Sequence, residues 1–149
     1  MSSTTSPLPP SLERIVQRFK CASSNKLRYE QLITIAQKLP TFPEDQKIPD
    51  NKVPGCVSQV YVIANLDEQG KVQFHGDSDS QLTKGLVAFL IMGMNGMTPT
   101  EVVGLNPEFI QETGLQASLT PSRANGFYNI FQTFKKKAQN CDPNLDIEV

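Results

Sequence analysis

Tryptophan is absent, histidine occurs once, at position 75, and the three cysteines stand far apart at 21, 56 and 141. No Cys-x-x-Cys pair occurs. A structural zinc takes four Cys or His ligands, usually in close pairs, and a disulfide framework takes an even set of cysteines in an oxidising compartment. Neither is expected, so the cysteines act separately or not at all. Charge of one sign is also lacking: 14 Lys and Arg stand against 15 Asp and Glu. That balance offers no basic face for nucleic acid and no acidic tail. The longest apolar run, GLVAFLIMGM at 85–94, falls well short of the roughly 20 residues a bilayer requires. The opening MSSTTSPLPPS has neither a positive n-region nor an apolar h-region, so neither a signal peptide nor a long transit peptide is expected. The glycines are dispersed and no Gly-Lys-Ser/Thr follows them, so no phosphate loop is present. A cytoplasmic protein is expected, without membrane or nucleic-acid partners.

The remaining material is ordinary for one domain of 149 residues. Residues 1–11 read as a disordered tail, 12–140 as the domain and 141–149 as a frayed C-terminal tail. Ser11 suits an N-cap, and Leu12, Ile15, Val16 and Phe19 fall on one helical face. Asn25 suits the next cap, before Leu32, Ile35, Ala36 and Leu39 at the same spacing. Prolines at 40, 43, 49 and 54 make the following stretch an extended, stiff loop. VSQVYVIAN (57–65) is β-rich with both faces apolar, DEQG (67–70) is a turn, and KVQFHGD (71–77) alternates cleanly. Together they predict an antiparallel hairpin, which is marginal alone and needs helices or a third strand to cover it. A helix follows SDS, capped by Asp79 or Ser80. Thr98-Pro99 and Asn106-Pro107 start two short helices, and Thr120-Pro121 starts the last, with Phe127, Ile130, Phe131 and Phe134 on its apolar face and lysines 135–137 in its last turn. The fold class is α+β, helices packed on a small antiparallel sheet.

The residue with chemistry to offer is Cys56, in NKVPGCVSQV. The stiff proline-rich approach limits its wandering, Gly55 permits a sharp turn, and Val57 begins an apolar wall. A thiol so placed can alternate between an exposed pose and a pocket at the sheet edge. It can equally be a small buried hydrophobe, as free cysteines often are. Cys21 beside Phe19 reads as packing and Cys141 as an inert tail residue. His75 lies on the polar side of the second strand and can face the first, so a Cys56–His75 hydrolase pair is geometrically open, without a visible third member. Arg123 sits near a helix N-terminus, where a cation is mildly unfavourable; it can meet the Asp77–Asp79 cap, a partner's carboxylate or solvent.

Taken together, KLP (38–40), NKVPGCVSQVYV (51–62), GDSDSQLTKGLVAFL (76–90) and LTPSRANGF (119–127) resemble, in order and spacing, the SufE-type sulfur acceptors of iron–sulfur cluster assembly. The resemblance covers about 12–138, and Tyr61 stands where many members carry tryptophan. It implies the α/β fold shared with IscU-type scaffolds. It implies that Cys56 accepts persulfide sulfur from a PLP-dependent, SufS-type cysteine desulfurase, stimulates that enzyme and passes sulfur to a SufB-type scaffold. Asp79 and Arg123 match family positions near the cysteine loop and at partner docking, and Gly55 and Ser58 stand with them as supporting positions. The chain is then an activating partner rather than a free-standing enzyme, with no cofactor and no metal of its own, and a homodimer is compatible with it. Two other readings stay open: a cluster-binding scaffold, which requires at least three convergent ligands, and the cysteine hydrolase.

Overall fold

The computed structural model describes residues 8–56 and 58–142. Most of both expected tails, and Val57, lie outside the described residues. Helix α1 (Pro10–Lys20) begins at Pro10 in the N1 position with Pro9 as its N-cap, so Ser11 is already helical and caps nothing. Its predicted stripe of Leu12, Ile15, Val16 and Phe19 is buried. Helix α2 (Asn25–Ala36) is capped by Ser24, whose hydroxyl accepts from the Leu27 N–H; Asn25 is its first residue. The proline-rich loop is extended but includes two single 3-10 turns, Glu44–Gln46 and Pro49–Asn51.

Strands β1 (Val60–Leu66) and β2 (Val72–Ser78) pair antiparallel, Val60 opposite Ser78 and Leu66 opposite Val72. Period-2 alternation puts Val60, Val62, Val72 and Phe74 into the core. The opposite face of β1 is only half-buried at Tyr61 and Ile63, not largely buried as its composition suggested. Helices complete the hairpin: α3 (Gln81–Met94) packs on β2 and α7 (Pro121–Cys141) on β1. Helix α3 is buried almost all round, and packs against α1 and α2 as well. Between α3 and α7 run three short helices, α4 (Pro99–Val103), α5 (Glu108–Glu112) and α6 (Leu115–Ser118). The first two were expected; Thr98 and Glu101 form a full capping box on α4. Helix α6 was not, and it follows Gly114 at φ 77°.

Phe127, Ile130, Phe131 and Phe134 are buried as the α7 stripe predicts. Phe74 and Phe134 have ring centroids 4.5 Å apart, which joins sheet to helix. Because α7 continues to Cys141, lysines 135–137 lie before its final turn. Cys141 is therefore not a tail residue: it is half-buried and its thiol donates to the Ala64 carbonyl at 3.3 Å. Among the described residues no helix is long and apolar enough to cross a membrane.

Candidate functional site

The segment that carries Cys56 is a loop pinched at its base. The Val53 N–H donates to the Val60 carbonyl at 2.8 Å, and Lys52 bridges to Tyr61. A second clamp joins Gln59 to Asp79: the Gln59 N–H donates to Asp79 Oδ1 at 3.0 Å, and the Asp79 N–H donates to the Gln59 carbonyl at 3.2 Å. Between the clamps the chain turns at Pro54-Gly55, with Gly55 at φ 75°. Other residues are strained there, so a glycine before the cysteine has a local reason.

Cys56 turns inward from that tip. Its thiol lies 3.6 Å from the Gly126 carbonyl, a weak S–H donor against the N-terminal part of α7. It lines a cleft of about 300 Å³ together with Ser58, Thr83, Thr120, Ser122, Arg123, Gly126 and Phe127. Four Ser and Thr residues stand around one guanidinium, with Gly126 and Phe127 beside them, so the lining is part polar and part apolar. Arg123 Nη1 donates to Ser80 Oγ at 3.3 Å and to Thr83 Oγ1 at 3.4 Å. Thr83 Oγ1 also lies 3.4 Å from Ser58 Oγ. A chain of polar contacts thus runs from Arg123 through Thr83 to the residue two beyond the cysteine.

The residues singled out in sequence are distributed as follows. Cys56, Ser58 and Arg123 share the cleft, and Gly55 makes its turn. Asp79 does not line it but anchors the loop's exit; Ser80, not Asp79, caps α3, through the Thr83 N–H. Arg123 does not meet the acidic pair. Asp77 instead takes Lys47 at 3.2 Å and Lys84 at 3.5 Å. His75 is exposed, opposite Ile63 in the strand register, and is not among the residues lining the cleft, so the Cys56–His75 pair does not form. Among the described residues no three His, Cys, Asp or Glu side chains converge, so the ligand set a cluster scaffold requires is not found there.

Sequence reasoning missed Thr83, Gly126 and Asn129. The Asn129 carboxamide donates to the Gly55 carbonyl at 3.3 Å. A signal existed: a glycine inside a long helix costs about 1 kcal/mol relative to alanine. At Gly126 a Cβ would lie 3.5 Å from Cys56 Sγ, ordinary contact, so glycine there leaves room beside the sulfur rather than avoiding a clash.

Burial pushes the Cys56 thiol above its ordinary value. In the observed pose the sulfur is therefore a neutral thiol at neutral pH, not a thiolate nucleophile. Alkylation by iodoacetamide, followed by peptide mapping, is expected to be slower at Cys56 than at exposed Cys21 and to rise with pH through a midpoint above that of a free thiol. A Cys56 midpoint below about 8 would show that the thiol is activated at rest. Because burial lifts the folded value above the unfolded one, this thiol's stabilising contribution is full below the unfolded pKa. It is lost as pH rises through the folded value.

A family profile described as SufE, Fe-S metabolism associated domain, matches residues 13–138. An uncharacterized SufE-like protein of Synechocystis is 61% identical over 88% of this chain and 82% of its own. SufE-like protein 1, chloroplastic/mitochondrial, of Arabidopsis thaliana is 44% identical, over 91% of this chain and 36% of its own length. The cysteine desulfuration protein SufE of Plasmodium falciparum is 35% identical, over 93% and 58%. The chain thus spans most of the first relative but only part of the other two. The solution structure of a hypothetical protein from Thermus thermophilus shares the fold, with a TM-score of 0.77 over 91% of this chain and 98% of that one at 24% identity. With its profile match running from α1 into α7, the chain belongs to the SufE family of Fe–S metabolism associated domains.

Proposed function

We propose that this chain is a sulfur acceptor and carrier that takes persulfide sulfur onto Cys56 from a PLP-dependent cysteine desulfurase and hands it on toward iron–sulfur cluster assembly. The observation that carries the reading is the placement of Cys56: a thiol at the tip of a pinched loop, turned into a cleft that it shares with Arg123 and the Ser58 and Thr83 hydroxyls. The cysteine desulfuration relative and the family description point the same way.

The step is a thiol exchange. Cys56, as thiolate, attacks the outer sulfur of the desulfurase persulfide. The new S–S bond forms at Cys56, the old one breaks, and the desulfurase cysteine leaves as thiolate, with no net oxidation or reduction. Regenerating that thiolate frees the desulfurase for another turnover, which is how an acceptor stimulates its partner. The nucleophile must be ionised and must reach into another protein's active site. The half-buried, neutral thiol satisfies neither condition, so transfer requires an extended pose and shelter the withdrawn one. After transfer the cleft receives the loaded sulfur among the Ser58 and Thr83 hydroxyls and the Arg123 guanidinium, whose charge favours an anionic terminal sulfur. Asp79 fixes where the loop rejoins β1, and Gly55 allows its turn. A cytoplasmic setting, a SufB-type recipient and homodimer formation belong to the same proposal.

The test is anaerobic incubation with an active SufS-type desulfurase and free cysteine, read by intact-protein mass and peptide mapping. The expected result is a gain of one sulfur's mass, on Cys56. No added sulfur, while the desulfurase keeps turning over, would remove the carrier reading.

A further inference from the structure

Two contacts from one face of α7 hold the Cys56 turn. The Gly126 carbonyl takes the thiol at 3.6 Å, and Asn129, three residues on and so on the same side of the helix, donates Nδ2 to the Gly55 carbonyl at 3.3 Å. The carboxamide lies against the bare Cα of Gly55: a Cβ there would meet Nδ2 at 2.5 Å. The carbonyl it holds belongs to the peptide that enters Cys56, so its orientation sets where the cysteine side chain points. Between the Val53–Val60 and Gln59–Asp79 clamps, Ser58 to Thr83 at 3.4 Å is a further hydrogen bond tying this segment to the body, and Cys56 packs against the core. The clamps are at the ends and the latch is in the middle.

We infer that Asn129 is a positioning residue, a latch whose single hydrogen bond to the Gly55 carbonyl holds Cys56 in the withdrawn pose and whose release lets the thiol extend. The inference rests on the sulfur-carrier reading for its purpose, but its geometry stands without a desulfurase. The bond is exposed and joins two neutral groups. Such a bond shifts an equilibrium by about three- to tenfold, enough to bias the loop and weak enough for a docking partner to overcome. The charged group lining the same cleft is Arg123, also on α7; it bonds to Ser80 and Thr83, not to the turn. Asn129 acts on the backbone alone.

The experiment compares wild type with Asn129→Ala and Asn129→Asp, following alkylation of each cysteine by peptide mapping across pH. In Asn129→Asp a carboxylate oxygen replaces the donor and faces the carbonyl. Asn129→Ala is expected to alkylate three- to tenfold faster at Cys56, with the pH midpoint shifted downward as the thiol leaves its half-buried site; in Asn129→Asp the added carboxylate disfavours the thiolate, so the gain is smaller and the midpoint lies above that of Asn129→Ala. Rates at Cys21, exposed, and Cys141, half-buried against β1, should not change. Unchanged Cys56 rates, or Cys56 and Cys141 accelerating together, would overturn the latch. A faster Cys56 in a protein that never gains sulfur from a desulfurase would keep the latch and discard the carrier.

Discussion

Replacing Gly85 by alanine is expected to destabilise the protein by about 2 to 3 kcal/mol and lower its Tm by roughly 5 to 10 °C. Gly85 is where α3 crosses α2. A Cβ there would lie 2.4 Å from the Leu32 carbonyl oxygen and 2.7 Å from both its carbonyl carbon and its Cβ. Leu32 is a buried residue inside α2, and two of those atoms are backbone, so no rotamer change relieves the clash. The helices must move apart, which loosens a core that includes Leu32, Leu86 and Phe89. Alanine's better helix propensity recovers only about 1 kcal/mol. Gly104 is the comparison: its Cβ would be 3.4 Å from Thr100 O and its φ is −80°, so Gly104→Ala should be near neutral. Thermal melts by circular dichroism decide it. A Gly85→Ala melt at or above the wild-type midpoint would mean the helices separate at no cost. The consequence reaches the site, because the first turn of α3 supplies Ser80 and Thr83, which hold Arg123.

Local sequence showed what local physics fixes. The helical stripes of α1 and α7 were legible because burial on one face imposes a period of 3.6, and β2 because it imposes a period of 2. The cysteine's turn was legible because proline and glycine each have a backbone reason to be there. What stayed hidden was made by contacts distant in sequence. Gly126 meets Cys56 across 70 residues and Asn129 meets Gly55 across 74. No periodicity reports such a meeting; only the approach of α7 to the loop does. Arg123 illustrates the difference. Its position near a helix start hinted at a task, but the nearby carboxylates misdirected the choice of partner. Asp77 was already held by Lys47, arriving from the proline-rich loop, and by Lys84. Helix α6 escaped because four residues carry too little pattern, and its start depends on Gly114 packing against the Arg28 guanidinium, 2.8 Å from where a Cβ would be.

Cys56→Ser is expected to abolish sulfur uptake while leaving the fold in place. Serine is slightly smaller, and its hydroxyl is a stronger donor than a thiol, so the link to the Gly126 carbonyl at 3.6 Å can be replaced. The stability change should stay within about 1 kcal/mol, and the melt should hardly move. Chemistry is another matter. A serine hydroxyl is not ionised at any workable pH, and oxygen cannot form the S–S bond that defines the product. Incubated with desulfurase and cysteine, the variant should gain no sulfur, and the desulfurase should turn over at the rate it shows alone. Cys21→Ser and Cys141→Ser should load as wild type does. The discriminating failure concerns Cys141. It is half-buried, its thiol is also raised by burial, and it lines a separate cleft of about 630 Å³ with Lys137 and Asn51. Sulfur mapped to Cys141 in the Cys56→Ser protein would move the acceptor to the far end of α7 and leave the Cys56 loop needing a different explanation.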